Sequence, residues 1–216
     1  EKKTLDMAIS NIAHDIRTPL TIASGYTQQL LKDADKEQME QQLQKIADNL
    51  SMVSRRLEAL MEYRRLMEGA IRPKLQQVDL SQLVTQQLFA YYDAFQRAGI
   101  DLEVDLSENL LLETDSDIFD RIVQNMLSNV LKHGRETASI SLKKEGQKVI
   151  FQVKNKVQKP ILHLDKLTNR FYSENLSSSE ESSGLGLYIT QQLVEILGGD
   201  LTIQAEDDWF ELIVTL

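Results

Sequence analysis

The sequence predicts an α+β protein in which an N-terminal helical hairpin precedes an α/β sandwich. Two observations indicate this fold class. Through the first third of the chain, apolar residues recur at helical spacing. Farther along, helical segments alternate with short stretches in which every second residue is apolar, as in half-buried strands. We therefore divide the chain into a helical hairpin (1–68), a hinge containing Gly and Pro (69–77) and a sandwich domain (78–216).

Composition limits the classes of function open to this chain. It has 216 residues, a formal net charge of −9 and no cysteine. Most of the acidic excess lies in the second domain, which argues against a nucleic-acid-binding surface because such surfaces need clustered basic residues. A chain without cysteine has no disulfide framework and no thiolate metal site, which suits a reducing cytoplasm. No apolar run approaches the ~20 residues of a membrane span, and no signal peptide is visible.

The first helix is expected from about residue 4 to residue 31, and it presents a histidine outward. His14 falls almost opposite the apolar stripe of this helix, and Thr18 lies about 40° from it on the same outer face. Pro19 lies within the helix and is expected to bend it just past the histidine. An outward histidine with Asp15 beside it and a hydroxyl one turn on indicates a reactive surface, whereas a lone histidine would indicate only an ordinary exposed residue. The stripe consists of Leu5, Ile9, Ile12, Ile16 and Leu20.

A second helix follows a short polar turn, with Asp35 as its expected N-cap. Its apolar residues alternate steps of four and three, the seam of a coiled coil, broken only by Arg64. One hairpin cannot bury the apolar stripes of both helices, so we expect two hairpins to pack as a four-helix bundle in a homodimer. The alternative is packing of the hairpin against the rest of the chain. The seam positions are Met39, Leu43, Ile46, Leu50, Val53, Leu57, Leu60, Arg64 and Met67.

The second domain reads as alternating helices and strands. Asp79 is expected to open its first helix and Gly99 to close it. The expected helices are 79–98, 116–133 and 184–197, and the expected strands are 100–106, 110–113, 138–143, 149–153, 201–205 and 209–216.

Three polar side chains share one strip of the helix at 116–133. Asn125, Asn129 and Lys132 lie within an arc of roughly 60°, beside the apolar face. Half-buried amides and an ammonium need polar partners. A triphosphate with Mg²⁺ would supply them, because amide oxygen is a suitable Mg²⁺ ligand and lysine offers a point charge to phosphate. The alternative is a solvated helix edge.

A second candidate phosphate site lies at Gly184-Leu185-Gly186, where a strongly apolar helix begins. Glycines at a helix start let backbone N–H groups approach phosphate, and the helix dipole favours anions there. The alternative is a helix N-terminus that packs closely on a sheet.

Together these motifs resemble those of the sensor histidine kinases of two-component systems. The string from Asn11 to Leu20 resembles the phosphoacceptor box of that family, His-acid-x-Arg/Lys-Thr/Asn-Pro-Leu. The resemblance implies that His14 takes a phosphoryl group from ATP and passes it to an aspartate of a response regulator. It also implies that Asp15 acts as the base, and that Asp15 and Thr18 support dephosphorylation of that partner.

The resemblance extends through the nucleotide-binding motifs. Asn125-x-x-x-Asn129-x-x-Lys132 resembles the N box of the family, which implies that Asn129 ligates Mg²⁺, that Asn125 helps to place metal or water, and that Lys132 contacts phosphate. Beside this motif, His133 is expected to line the nucleotide pocket. Leu167 to Tyr172 resembles the F box, with Phe171 as its phenylalanine.

The glycine motif at Gly184, Leu185 and Gly186 resembles the G2 box and implies contact with the nucleotide phosphates. One departure stands out. Where the family has Asp-x-Gly-x-Gly after a strand, with the Asp accepting the adenine amino group, this chain has Asn155 and no glycine. The carbonyl of Asn155 still offers an acceptor, but an uncharged one.

The resemblance covers essentially the whole chain in the motif order of the family. It implies the cytoplasmic catalytic core of a histidine kinase that uses ATP and Mg²⁺, forms a homodimer and serves a response regulator, with membrane attachment only through an upstream sensor segment. One alternative is a kinase in which phosphatase activity dominates. The other is a dimeric scaffold that is catalytically dead.

Overall fold

A computed structural model describes residues 16–30, 36–69, 71–158 and 186–216. The chain divides into two compact units, Glu1–Glu68 and Gly69–Leu216. No helix in the described part of the chain is long and apolar enough to span a bilayer.

The first unit is helical in its described ranges. Helix α1 covers residues 16–30, and helix α2 covers Lys36–Met67. The Lys45 ammonium lies 5.0 Å from the centre of the Tyr26 ring, so the two helices contact each other. The predicted start of the first helix and the predicted cap at Asp35 lie outside the described residues.

The predicted seam of α2 stays largely open within one chain. Large apolar side chains along the seam keep about half of their surface exposed. A seam that packed fully against the rest of the same chain would bury them. These side chains and their exposed fractions are Met39 42%, Leu43 53%, Leu50 47% and Leu57 45%.

The second unit is a two-layer α/β sandwich, as predicted. Its elements are β1 Gln76–Asp79, α3 Leu80–Ala98, β2 Asp101–Leu106, β3 Leu111–Thr114, α4 Ser116–His133, β4 Gly134–Glu145, β5 Lys148–Val157, α5 Gly186–Ile196, β6 Asp200–Glu206 and β7 Trp209–Thr215. Five strands form one sheet in the order β2-β4-β5-β7-β6, in which β2 is parallel to β4 and the other neighbours are antiparallel. Strands β1 and β3 form a separate antiparallel pair.

Capping residues explain the bounds of α3. The Asp79 side chain accepts a hydrogen bond of 3.0 Å from the Gln82 backbone N–H. Gly99 then ends the helix in the left-handed conformation, with φ at 65°. Both roles were predicted from the sequence and are confirmed.

The core lies between the helices and one face of the sheet. Phe119 of α4 and Phe151 of β5 meet edge to face, with ring centres 5.9 Å apart, and both are buried. The opposite face of the sheet is polar, since Gln152 bonds Glu211 and Lys154 lies 5.0 Å from the centre of the Trp209 ring. Within the described part of the second unit, the helices lie on one face of the sheet, and the candidate ligands of α4 lie on that side.

The sheet has two edge strands, β2 and β6. On β2, the side chains of one face are all acidic and exposed, and Asp105 forms a 2.6 Å ion pair with Lys143 of the neighbouring strand. The acidic side chains are Asp101, Glu103 and Asp105.

Two predicted boundaries were wrong. Strand β5 does not end at Val153, because it continues through Asn155 to Val157, paired with β4 on one side and reaching Lys156 against β7 on the other. Strand β4 begins at Gly134 instead of residue 138, directly after α4. Strand β1 was not predicted, and it begins within the hinge that the sequence suggested.

Candidate functional site

Helix α4 has one flank fixed against α3 and another that carries the candidate ligands. On the first flank, Asp120 accepts hydrogen bonds from Gln87 Nε2 of α3 at 2.6 Å and from Gln124 Nε2 at 2.7 Å. Asn125 and Asn129 lie about 140° and 180° around the helix from Asp120. Helix α5 also packs on α4. The two amides therefore face away from the flank that α3 occupies.

Neither amide has a hydrogen-bond partner within the described residues. Asn125 and Asn129 are half-buried, and no hydrogen bond joins either side chain to another group in the described ranges. A polar group in this position is stabilised when a ligand bonds it. Lys132 is exposed and His133 is half-buried, and each of these two engages other groups of the protein.

Asn155 is placed more deeply than its sequence position suggested. It lies within β5, opposite Ala138 and Phe210, and is 1% exposed. By alternation along the strand it shares the helix-facing side with Phe151 and Val153. Its Nδ2 donates a 3.0 Å hydrogen bond to the Lys156 carbonyl. No other described residue donates a hydrogen bond to its amide oxygen.

The described part of helix α5 starts at Gly186, and packing does not require a glycine at this position. A Cβ atom there would meet nothing within 4 Å, and φ lies outside the left-handed region. At Gly199, by contrast, a Cβ would clash with the Thr215 carbonyl oxygen. The hydroxyl of the buried Thr190 donates a hydrogen bond of 2.8 Å to the Gly186 carbonyl oxygen, one helical turn earlier. An open backbone at a helix start fits an approaching phosphate better than a close helix–sheet contact.

Asp115 is a structural residue that the sequence reasoning missed. It is the N-cap of α4, and its Oδ1 accepts from the backbone N–H groups of Asp117 and Ile118, each at 3.0 Å. Its Oδ2 accepts from the Lys74 backbone N–H at 2.6 Å. An Asp directly before a helical run is a known N-cap signal that could have identified it.

The hydrogen bonds that Asp115 accepts hold the pKa of its carboxyl below the ordinary value. Burial acts to raise the pKa, but the three backbone N–H donors and the Lys74 charge outweigh it. A carboxyl with a lowered folded pKa stabilises the fold above its unfolded pKa, about 3.9. That stabilisation is lost as the pH falls through the folded value.

We therefore expect Asp115→Ala to lower the free energy of unfolding by about 1 kcal/mol near neutral pH. The difference from the native chain should hold between pH 7 and pH 5 and shrink below about pH 4, where the carboxyl is protonated in the unfolded state. Urea titrations followed by fluorescence of Trp209, the sole tryptophan, would measure it. A difference that stays constant down to pH 3 would contradict the role of the charge.

The other predicted site residues lie on helix α1 or outside the described residues. Thr18 is exposed on α1, beside the buried Pro19. The remaining candidates lie outside the described residues. They are His14, Asp15, Phe171, Gly184 and Leu185.

Two domain families match the sequence. The family described as His Kinase A (phospho-acceptor) domain matches residues 4–69. The family described as Histidine kinase-, DNA gyrase B-, and HSP90-like ATPase matches residues 114–216. The matches follow each other in the order of the two units.

Individual relatives resemble the chain over most of its length. Sensor histidine kinase YcbM of Bacillus subtilis is 24% identical over 214 residues, which is 95% of this chain and 68% of the relative. Sensor protein CopS of Pseudomonas syringae pv. tomato is 30% identical over 168 residues, 76% of this chain. The chain spans only 34% of CopS, so it corresponds to part of that relative.

Solved structures share the fold at low sequence identity. Acinetobacter baumannii histidine kinase AdeS superposes with a TM-score of 0.76 at 19% identity, covering 94% of this chain and 96% of that chain. Histidine kinase ThkA, solved in complex with response regulator protein TrrA, superposes with a TM-score of 0.76 at 21% identity. That match covers 99% of this chain and 62% of ThkA.

Proposed function

Since the chain belongs to the sensor histidine kinases, we propose that it transfers the γ-phosphoryl group of ATP to its own His14. The bond between the γ-phosphorus and the bridging oxygen of ATP breaks, and a bond forms between that phosphorus and an imidazole nitrogen. ADP leaves, and the imidazole proton passes to Asp15. An aspartate of a response regulator then takes the phosphoryl group from His14.

The observation that carries this proposal is the open amide flank of α4. Asn125 and Asn129 are half-buried and unbonded within the described residues, and a hard oxygen ligand beside polar groups suits Mg²⁺ carried on phosphate. Asn129 would ligate the metal, and Lys132 would contact phosphate. When bound, Mg²⁺ neutralises charge on the phosphates. The residues are therefore suited to hold a metal–nucleotide complex.

Two further residues complete the nucleotide site in this proposal. The buried Asn155 would accept a hydrogen bond from the adenine amino group, and its neutral oxygen gives a weaker bond than a carboxylate would. The backbone at Gly186 would face phosphate, together with the predicted Gly184 and Leu185. Phe171 and His133 would line the pocket.

The direct test is incubation of the chain with γ-labelled ATP and Mg²⁺, beside His14→Ala. We expect label that is stable in alkali and labile in acid, as a phosphorus–nitrogen bond is, and no label in the variant. Equal labelling of both chains would contradict His14 as the acceptor. Nucleotide binding, measured with a fluorescent ATP analogue, separates a failure of binding from a failure of transfer.

A homodimer through the hairpin is the second part of the proposal. The seam of α2 leaves Leu43, Leu50 and Leu57 about half exposed in one chain. A second copy of this seam is the matching apolar surface, and burial of each leucine would contribute about 1–2 kcal/mol. Two hairpins would then form a four-helix bundle.

We expect Leu50→Glu to weaken the dimer by at least about tenfold, because it places two like charges in the apolar seam. Analytical ultracentrifugation over a range of chain concentrations would measure the dissociation constant. Gln41→Glu adds the same charge at an exposed position off the seam and is the matched control. A Leu50→Glu chain as dimeric as this control would place the dimer interface elsewhere.

The proposed partner is the receiver domain of a response regulator. ThkA, which this chain resembles, was solved with the response regulator protein TrrA. We propose a cytoplasmic location for this core, which suits its ATP substrate and a chain without cysteine.

A second candidate function is dephosphorylation of the same partner, in which Thr18 orients the attacking water. The exposed position of Thr18 on α1 favours this possibility. We expect Thr18→Ala to lower the rate of regulator dephosphorylation at least tenfold while the labelling of His14 persists. The release of phosphate from phosphorylated regulator measures this rate, with Thr21→Ala on the same helix as the control. An unchanged rate in Thr18→Ala would remove the role of this hydroxyl.

A further inference from the structure

The segment that follows the boundary between the two units is bonded directly to the start of α4. The Lys74 backbone N–H donates to Asp115 Oδ2 at 2.6 Å, and Gln76 Nε2 donates to Ser116 Oγ at 3.0 Å. Strand β1 then pairs with β3, beginning with Gln76 opposite Thr114. The segment from Lys74 onward is therefore part of the sandwich, whereas the described residues 71–73 form no hydrogen bond of this kind.

The Asp115 carboxylate bonds both the start of α4 and the segment at Lys74. Asp115 Oδ1 accepts hydrogen bonds from backbone N–H groups in the first turn of α4. Its Oδ2 accepts a hydrogen bond from the backbone N–H of Lys74, in the segment that follows the boundary between the units and is called the interdomain segment below. Asp115 is 7% exposed, so water competes little for these bonds. Any reorientation of the segment at Lys74 acts on the carboxylate that caps α4.

Helix α4 transmits this restraint to the candidate ligands. Asn125 and Asn129 lie about 15 Å and 21 Å along the helix from Asp115. A helix packed on the sheet and on α3 moves as a rigid element, so a small rotation at its N-terminus displaces the amides. Phosphoryl transfer depends on such positioning.

We propose that Asp115 is a positioning residue that joins the interdomain segment to the helix bearing Asn125 and Asn129. This inference rests on the proposed kinase function. The joint couples the path of the chain around Lys74 to the position of the two amides on α4. In this proposal Asp115 itself contacts neither ATP nor His14.

Two variants break the joint and keep the helix cap. Lys74→Pro removes the backbone N–H that donates to Asp115 Oδ2, and it leaves the carboxylate unchanged. Asp115→Asn keeps an oxygen for the α4 N-terminus, where Asn is a good cap, but presents an amide donor in place of the second acceptor. Lys74→Ala retains the backbone N–H and is the matched control.

The rate of His14 labelling at saturating ATP is expected to fall about tenfold in both joint variants. The affinity for a fluorescent ATP analogue should change less than twofold, and Lys74→Ala should match the native chain in both. A rate equal to the control in both variants would overturn the proposal. So would a parallel loss of nucleotide affinity, since that would mark a purely structural role.

Amide hydrogen exchange tests the joint without catalysis. The Lys74 amide should exchange slowly in the native chain and at least tenfold faster in Asp115→Asn. Equal exchange of the Lys74 amide in the native chain and in Asp115→Asn would overturn the proposed joint. Absence of His14 labelling in the native chain would instead contradict the kinase reaction.

Discussion

Replacement of Asn129 by alanine is expected to reduce the labelling of His14 by at least about 100-fold, the scale found when one group that stabilises transition-state charge is removed. The amide oxygen is the proposed protein ligand to Mg²⁺, and alanine offers none. The fold should persist, because no hydrogen bond holds this side chain among the described residues and alanine favours helix. The dimer should be unaffected, because α4 lies outside the hairpin.

The measurement is the rate of label incorporation across a range of Mg²⁺ concentrations. Ser128→Ala is the matched control, a half-buried neighbour on the same helix, and it should label at the native rate. Binding of a fluorescent ATP analogue, measured with and without Mg²⁺, completes the test. The metal should strengthen binding to the native chain and have little effect on Asn129→Ala. Native labelling by Asn129→Ala would exclude Asn129 as the metal ligand.

Replacement of Phe151 by alanine is expected to lower the free energy of unfolding of the second unit by about 3–5 kcal/mol. Phe151 lies in the central strand β5, is 1% exposed and packs edge to face on Phe119 of α4. Its removal leaves a cavity between the sheet and the helix that carries the candidate ligands. For a unit of this size the loss corresponds to a fall in Tm of roughly 10 °C.

Urea unfolding followed by Trp209 fluorescence measures this loss, because Trp209 lies in β7 of the same sheet. Phe89→Ala provides the control, since Phe89 is 77% exposed on α3 and its removal should change the free energy of unfolding by less than about 0.5 kcal/mol. A similar loss in both variants would mean that the core does not depend on this pair of rings.

Elements with strong local signals were predictable from the sequence. Helix α4 has the predicted bounds, because its apolar residues recur at helical spacing and face the sheet. The cap at Asp79 and the left-handed Gly99 were likewise readable, since each role belongs to a specific residue type. The amide strip at Asn125 and Asn129 followed from the same helical geometry.

Elements that depend on distant partners were not predictable in this way. Strand β1 has only four residues and exists because β3 pairs with it more than 30 residues later. Strand β5 runs past Asn155 because β4 and β7 continue the ladder on both sides, whereas the local sequence suggested a loop. The bond from Lys74 to Asp115 is equally non-local, joining residues 41 positions apart.

The acidic edge strand β2 has a consequence for the solubility of this protein. An exposed edge presents unpaired N–H and C=O groups that another chain can extend into a larger sheet. Asp101, Glu103 and Asp105 line one face of this strand, so two copies that approach edge to edge repel each other at neutral pH. Salt screens this repulsion. Self-association through β2 is therefore expected to increase as the ionic strength of the solution rises.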